Sequence, residues 1–439
     1  MLLDMPWQLS WFLIFALLIA LFCIGVPIGF AMVVVAMAGL FLSDGFNSLL
    51  DVLGFYTYHK ATPYVFICIP MFVLMTEFMT HGGISTKLID MAHKLIGRVP
   101  GSLAVVTVVA STVFGACCSS TVLGAMIMSE MILPETTKRN YDNSLIAGTI
   151  AAGGTLSVLI PPSGTLILWG IIAKQPVDKL FIAGIIPGIL AAAVFITYIV
   201  IRAIRNPALA PPVPAVPLKE QLLSIAKGWD IIILIVVVLG GIYAGVADVV
   251  EISAVGALIA LIIGLFHRKL NFSNIYTSLT RTGSMVASFI ILIIGAFLLI
   301  NLMSILRIPT HLSEYFLDAN LSATVLVIAI MLMFFILGMF IDSASVLLIT
   351  LPLFLESLEA LNVNLIWLGI IVTLNAMIAT LTPPVGLNLF VIQTVGKRYG
   401  VNFTTVVRGS LPFIGLLFVV MLIVWIFPSI ATWLPSTMD

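Results

Sequence analysis

The chain has 439 residues, of which 61% are hydrophobic and 9% are charged. Because a soluble domain carries about 25% charged residues, this composition excludes a soluble enzyme and indicates a protein that spans a lipid bilayer. Basic and acidic residues number 19 each, a balance that argues against a nucleic-acid partner.

Apolar runs long enough to cross or re-enter the hydrocarbon core predict an all-α polytopic membrane protein. In chain order they lie at 8–24, 28–42, 61–79, 101–133, 143–172, 180–201, 230–246, 249–266, 282–306, 321–355, 365–395 and 409–431. The N-terminus lacks the basic region of a signal peptide, so we interpret the first run as a transmembrane helix.

A proline-rich segment, residues 206–227, separates two halves, residues 1–205 and 228–439. Its prolines disfavour a regular helix over 206–219, and we interpret it as a cytoplasmic linker. Three landmarks recur in order in both halves: 114-FG-115 with 337-LG-338, 161-PPSG-164 with 383-PPVG-386, and 184-GIIP-187 with 409-GSLP-412. We therefore predict one diverged repeat, the alternative being that any polytopic protein has Gly and Pro at its breaks.

The distribution of basic residues predicts that the two repeats are inverted. If the runs at 101–133 and 321–355 are re-entrant hairpins, each half has five crossings, an odd number that includes one broken helix at 143–172 or 365–395. With the N-terminus outside, fifteen of the 19 lysines and arginines fall in inner loops. Since positive charge stays on the cytoplasmic side, both termini are expected on the outer side.

Four segments place irregular backbone inside apolar runs, at 114–121, 153–164, 338–345 and 379–388. Such backbone is tolerated at membrane depth only where it lines a cavity enclosed by protein. The breaks free carbonyl and hydroxyl oxygens that suit Na⁺, while half-helix N-termini suit an anion. We expect two cation sites with an anionic substrate between them, in a secondary transporter that works by alternating access.

The candidate site residues lie at these breaks. Asp342 is the one aspartate deep in an apolar run. It could belong to a cation site, cap a hairpin half-helix or pair with a distant basic residue. Small hydroxyls beside a break form a second set, each of which could instead bond back to its own helix; they are Ser119, Ser120, Thr121, Ser157, Thr380 and Thr382. The amides Asn301, Asn375 and Asn388 are expected mainly to join helices, and Glu130 is a weaker candidate.

These segments resemble the large membrane subunit of tripartite ATP-independent periplasmic (TRAP) transporters over nearly the whole chain. The resemblance rests on 114-FGACCSSTV-122, 151-AAGGTLSVLIPPSG-164, 180-LFIAGIIPGIL-190, 337-LGMFIDSASVLLITLPLF-354 and 379-ATLTPPVGLNLFV-391. It implies Na⁺-driven import of an organic acid anion by an elevator motion across the bacterial inner membrane. It also implies two partners, a small four-helix membrane subunit and a periplasmic substrate-binding protein, and no organic cofactor.

The resemblance further implies the residues of two sodium sites. The first would comprise Ser119, Ser120, Ser157, Ile160 and Pro162, and the second Gly338, Asp342, Thr380, Thr382 and Pro383. Candidate substrate contacts are Thr121, Ser163, Ser343 and Asn388. The chain departs from the family pattern at Ser119 and Ser157, where glycine is usual and a Cβ reduces backbone freedom.

Other functions remain open from the sequence. A stand-alone sodium/dicarboxylate symporter of related architecture would work without a binding protein. A membrane-embedded enzyme needs a nucleophile or an acid–base set, and the sequence has no Walker loop, GxSxG or His-Glu metal motif, so we expect neither an enzyme nor an ATP-driven pump. A structural scaffold would not need four breaks, and carboxylate, sugar acid and sulfonate substrates all fit.

Overall fold

The computed structural model describes residues 5–56, 58–59, 62–115, 121–211, 216–319 and 321–438. Within these ranges the secondary structure is helical throughout and no strand occurs. Six of the described helices are long and apolar enough to cross a membrane, or seven if the bent pair Lys219–Lys227 and Trp229–Tyr243 forms one span. The prediction of an all-α polytopic membrane protein is confirmed.

The first half contributes helices α1 to α9. They are Trp7–Cys23, Ile28–Asp51, Cys68–His81, Ile84–Ile96, Ser102–Gly115, Thr121–Lys138, Asn143–Thr155, Gly164–Ile172 and Val177–Arg205. A 3₁₀ turn, Tyr64–Ile67, precedes α3. The break between α7 and α8 falls inside the apolar run at 143–172, and α5 and α6 occupy the run interpreted as a hairpin.

The linker contributes α10, and the second half contributes α11 to α20. They are Leu218–Lys227, Trp229–Ile235, Val249–Phe266, Phe272–Ile305, Ile308–Asp318, Ala323–Gly338, Ser343–Ala360, Leu365–Leu381, Leu387–Gly396, Phe403–Ile426 and Ser429–Thr432. Helices α11 to α19 follow the same order of long, short and broken elements as α1 to α9. The inversion of one half relative to the other stays a prediction.

Contacts between the helices define two groups. In the scaffold group, α1–α3 with α11–α13, helix α2 packs along α13 and α12 packs along α3, so the second helix of each half meets the third helix of the other. In the hairpin group, α5–α9 with α15–α19, helix α7 packs on α5, α6 and α19, and α17 packs on α15, α19 and α9. The short helices α4 and α14 connect the two groups.

The linker differs from the sequence prediction at its C-terminal end. We expected no regular helix over 206–219, but α10 begins at Leu218 and continues to Lys227. Pro217 precedes the first helical residue, a position where its missing N–H removes no helical hydrogen bond. The prolines therefore end before the helix begins, and they do not exclude it.

The closest helix crossings depend on glycine. Gly148 of α7 faces Gly409 of α19, and a Cβ added to Gly409 would lie 1.9 Å from the carbonyl oxygen of Ser144. In the scaffold group, a Cβ on Gly295 would lie 2.6 Å from the carbonyl oxygen of Gly29. Helices gain little hydrophobic energy from one another in lipid, so close backbone approach supplies the van der Waals attraction that holds them.

This packing predicts that Gly409→Ala destabilises the protein, because backbone atoms of α7 occupy the space that the methyl group needs. Overpacking of this kind costs about 1–3 kcal/mol. The measurement is the Tm of the purified protein in detergent. Gly415→Ala on the same helix is the control, since nothing lies within 4 Å of the added Cβ; equal Tm values for the two variants would contradict the prediction.

Candidate substrate and cation site

The first break lies in the centre of the hairpin group. After α7 ends at Thr155, residues Leu156–Val158 form a single 3₁₀ turn, the Pro161–Pro162 bond is cis, and α8 begins at Gly164. Every residue from 145 to 170 is buried. Irregular backbone is thus present at this depth, and protein encloses it completely.

The first hairpin closes on this break at Ser157. A Cβ added to Gly115, the last residue of α5, would lie 2.9 Å from Ser157 Cα. A Cβ added to Gly124 in α6 would lie 3.5 Å from Ser157 Oγ. Both arms of the hairpin therefore contact Ser157, which the sequence assigned to the first sodium site.

Other members of the first predicted site differ in what the structure shows. Ser119 and Ser120 lie outside the described residues. Ile160 and Pro162 are buried in the same break as Ser157, and the Ile160 side chain packs where α9 has Gly188. The described part of the first set is therefore one hydroxyl and a stretch of buried irregular backbone.

The second hairpin meets the second break in a comparable way. The backbone N–H of Gly386 donates to the carbonyl oxygen of Met339 at 3.0 Å, which joins the break to the hairpin tip. A Cβ on Gly338 would lie 2.8 Å from the Ala379 Cβ. Gly386 has a φ of 56°, a left-handed conformation that favours glycine. Gly338 is thus close to the end of α17, which carries Thr380 and leads into Pro383.

The hydroxyl groups at both breaks donate to carbonyl oxygens of their own helices. Ser157 Oγ donates to Gly154 at 2.7 Å, Thr380 Oγ1 to Met377 at 3.0 Å, and Thr382 Oγ1 to Ile378 at 2.7 Å. This is the alternative that the sequence left open for these residues. A hydroxyl that has used its single proton still has oxygen lone pairs, so each remains an acceptor for a cation.

Asp342 is the N-cap of α16. Its Oδ2 accepts the backbone N–H of Ser345 at 3.1 Å, and its Oδ1 accepts the Ser345 hydroxyl at 2.5 Å. The capping alternative is therefore present in the structure, and the positive end of the α16 dipole stabilises the carboxylate. The side chain is half-buried, so it is also accessible from one side.

A cavity of about 610 Å³ lies beside Asp342. It is bounded by the start of α2 at residues 27–30, by the middle of α13, and by Asp342 and Ser345 of the second hairpin. Helix α13 contributes the hydroxyls of Ser284 and Ser288. The volume is within the range of about 300–1,000 Å³ that small-molecule sites occupy.

The predicted substrate contacts do not all have free polar atoms. Ser163 caps α8, and its hydroxyl donates to the Val158 carbonyl oxygen at 2.5 Å. Thr121 is buried at the start of α6, and Ser343 is half-buried at the start of α16. Asn388 is fully buried on α18, and both polar atoms of its amide lack a hydrogen-bond partner in the structure. Asn388 therefore has unused hydrogen-bonding capacity.

The remaining candidates have other roles. Asn375 donates to the Met331 carbonyl oxygen at 2.7 Å and so joins α17 to α15, as its default interpretation predicts. Glu130 is exposed and shares a cavity of about 450 Å³ with Lys397 and Arg398. Among the described residues, no group of three or more His, Cys, Asp and Glu side chains could hold a metal ion.

Sequence reasoning missed two buried carboxylates. Glu77 lies in α3, 5% exposed, with its Oε2 3.5 Å from His81 Nδ1. Asp230 lies at the start of α11 and is fully buried. Both stand inside or beside the predicted apolar runs, and an ionisable residue in such a run is the signal that could have identified them.

The fold and the paired breaks define a polytopic membrane protein of the transporter class. The family model described as "Tripartite ATP-independent periplasmic transporter, DctM component" matches residues 15–430. The chain belongs to this family, and it is the large permease component of a tripartite transporter, a multi-pass protein of the inner membrane and not an enzyme.

Curated relatives agree over most of the chain. The C4-dicarboxylate TRAP transporter large permease DctM of Pseudomonas aeruginosa is 32% identical, covering 90% of this chain and 91% of that protein. The sialic acid TRAP transporter large permease SiaM of Vibrio cholerae is 29% identical, covering 94% and 95%. The ectoine TRAP transporter large permease TeaC of Halomonas elongata is 30% identical, covering 95% and 97%.

Two solved structures share the fold. The YdaH transporter of Alcanivorax borkumensis superposes with a TM-score of 0.67 at 12% identity, covering 93% of this chain and 97% of that chain. MtrF of Neisseria gonorrhoeae superposes with a TM-score of 0.60 at 12% identity, covering 90% and 94%. At this identity the likeness concerns the architecture alone.

The capping geometry predicts different stabilities for two variants of Asp342. Asp342→Ala removes the cap and should lower the free energy of unfolding by about 1 kcal/mol, whereas Asp342→Asn keeps an N-cap of similar strength and should stay close to the parent protein. The measurement is thermal unfolding in detergent. If the two variants were destabilised equally, the charge of Asp342 and not its capping bonds would hold the start of α16.

Proposed function

We propose that this chain is the permease of a sodium-coupled transporter that imports a small organic acid anion delivered by a periplasmic binding protein. The observation that carries the proposal is the pair of helix breaks, each closed by the hairpin of its own half. Irregular backbone at membrane depth is the feature with which secondary transporters bind ions and substrates.

The oxygen atoms at the two breaks suit Na⁺. At the first break, Ser157 and the surrounding backbone would provide neutral ligands together with the hairpin tip. At the second break, the candidates are the Thr380 and Thr382 oxygens, with Gly338 and Pro383 beside them. These hydroxyls direct their protons back to their own helices, so their lone pairs are available to a cation.

The charge beside the cavity suggests an order of binding for the cation and the proposed anionic substrate. Asp342 places a negative group at the wall of the cavity of about 610 Å³. An organic anion entering this cavity would be repelled unless a cation had neutralised that charge first. Sodium bound near Asp342 therefore makes anion binding favourable, and this order of binding couples the two fluxes. Carboxylates, sugar acids and sulfonates of small size are the substrates that fit.

The division into a scaffold group and a hairpin group supports an elevator mechanism. The hairpin group contains both breaks, so its movement would carry ions and substrate together. Helices α4 and α14 connect it to the scaffold group in each half, and α13 also packs directly on α16. In this proposal the halves are inverted, both termini lie in the periplasm, and a small four-helix membrane subunit binds the scaffold group.

A stand-alone sodium/dicarboxylate symporter is the second candidate function. It would use the same breaks and cavity but would accept substrate directly from the periplasm. Membership in a tripartite family favours delivery by a binding protein. The two functions differ in whether uptake requires a periplasmic binding protein, and a reconstituted system measures this directly.

The test is uptake into proteoliposomes that hold this chain and its small membrane subunit, with a panel of organic anions and an inward Na⁺ gradient. We expect uptake of one class of anion that needs both Na⁺ and the periplasmic binding protein. Replacement of Na⁺ by K⁺ at equal ionic strength is the control. Uptake that needs Na⁺ but not the binding protein would establish the stand-alone symporter, and uptake indifferent to Na⁺ would overturn the proposed coupling.

Asp342→Asn removes the negative charge at the cavity wall but keeps the helix cap. Because asparagine still caps α16, the variant should fold and insert normally while the half-saturating Na⁺ concentration for uptake rises about tenfold, equivalent to about 1.4 kcal/mol. Glu356→Gln, an exposed position on the same helix, is the matched control. Unchanged sodium dependence in Asp342→Asn would remove this carboxylate from the coupling mechanism.

A further inference from the structure

A buried ionic cluster lies away from both breaks. The Nζ atom of Lys87 is 3.0 Å from Oδ2 of Asp230, and Nε2 of His267 is 2.9 Å from the same oxygen. Lys87 Nζ and His267 Nε2 are 2.7 Å apart. The carboxylate therefore sits against two nitrogen donors, and His267 can either donate to Asp230 or accept from Lys87, but not both through one nitrogen.

The three residues come from separate helices and from both halves of the chain. Lys87 belongs to α4, Asp230 to the first turn of α11, and His267 follows the last residue of α12. The side chain of Asp230 has no exposed surface, whereas that of Lys87 is 38% exposed. A buried carboxylate is stable only when it is paired and hydrogen-bonded, so this contact fixes α4 against the scaffold group.

Helix α4 leads directly into the first hairpin. Only residues 97–101, with the sequence GRVPG, separate its end from the start of α5 at Ser102. Gly101 has a φ of 71°, a conformation that glycine adopts easily. Helix α10 packs against another surface of α4. Gly228, which directly follows α10, is so close that an added Cβ would lie 2.5 Å from the sulfur of Met91 in α4. A turn of five residues therefore joins α4 to the first hairpin.

Helix α14, which corresponds to α4 in the second half, makes a different contact. When Ile308 at the start of α14 is aligned with Ile84 at the start of α4, His311 takes the place of Lys87. The His311 ring stacks on Trp7 of α1 with centroids 6.0 Å apart, and its Nδ1 is 3.4 Å from Glu314 of its own helix. A half-buried aromatic stack thus stands where the first half has an ionic cluster around a buried carboxylate.

We propose that Lys87, Asp230 and His267 form an anchor that holds α4 to the scaffold group during transport. The three are positioning residues, because they touch neither break. The transport consequence rests on the proposed function, whereas the anchoring of α4 does not. In this arrangement, α4 stays with the scaffold group throughout the cycle while the hairpin group moves.

The first experiment measures hydrogen–deuterium exchange in the complete protein in detergent, which needs no transport activity. Asp230→Asn should raise the exchange rate of amides in 84–96 at least threefold, while amides in 308–318 keep the parent rate. Lys87→Met should have the same effect and Lys87→Arg a smaller one, because arginine retains the charge. Asp90→Asn is the matched control, since Asp90 pairs with Lys94 at 2.6 Å on the exposed side of the same helix.

The second experiment measures initial uptake rates per folded transporter in proteoliposomes. Asp230→Asn and Lys87→Met should lower the maximal rate at least threefold, with KM for the anion and the half-saturating Na⁺ concentration within twofold of the parent values. Unchanged exchange in 84–96 for both variants would overturn the anchor. Faster exchange with an unaltered maximal rate would overturn its role in transport. Absence of sodium-dependent uptake in the parent protein would instead contradict the proposed function and leave the exchange result standing.

Discussion

The structure depends on one constraint, which is that the polar backbone groups freed by the two helix breaks must be satisfied inside the protein. At the first break, the N–H groups of Leu159 and Ile160 both donate to the carbonyl oxygen of Leu156. At the second, the N–H of Gly386 reaches the carbonyl oxygen of Met339 in the hairpin. The first break therefore satisfies these donors within its own turn, whereas the second uses a carbonyl group of its hairpin. The glycines at the contact surfaces follow, because they allow the hairpin to approach closely.

The two breaks differ in how completely the protein buries them. Residues around the first break are completely buried, whereas Thr382 is half-buried and Pro384 is exposed at the second. The second hairpin also borders the cavity, through Asp342 and Ser345. Two segments of similar sequence pattern therefore differ in access. In the proposed cycle, this difference means that the second cation position communicates with the cavity while the first is enclosed between α5, α6 and α7.

The sequence was sufficient to locate the breaks but not the contacts made by charged residues. Apolar length, glycine and paired prolines all act locally, so the breaks at Ser157 to Pro162 and Thr382 to Gly386 could be predicted from the chain alone. Helix α4 falls between the predicted apolar runs at 61–79 and 101–133, because it is too short and too polar to cross a membrane. Its buried Ile84, Leu88 and Ala92 recur every four residues, a helical pattern that a search for long apolar runs overlooks.

The partners of Asp230 could not be predicted for a different reason. Lys87 precedes it by 143 positions and His267 follows it by 37, and neither spacing carries a local signal. Only the packing of the folded chain brings them together.

The hydrogen bonds of the site candidates could not be predicted from the sequence either. In the structure, Asp342 and Asn375 already use their polar atoms, whereas the amide of Asn388 has no hydrogen-bond partner.

The closest backbone contacts lie within the two groups of helices. Within the scaffold group, Gly29 and Gly295 bring α2 and α13 into backbone contact, and within the hairpin group, Gly148 and Gly409 do the same for α7 and α19. Between the groups, α13 packs on α16 beside the cavity, whose α13 wall combines the small Ser284, Ala287 and Ser288 with larger apolar side chains. The boundary between the groups is therefore less tightly packed than the interior of either group. In the proposed elevator mechanism, movement would occur along this boundary, because separating the groups there disrupts fewer close backbone contacts.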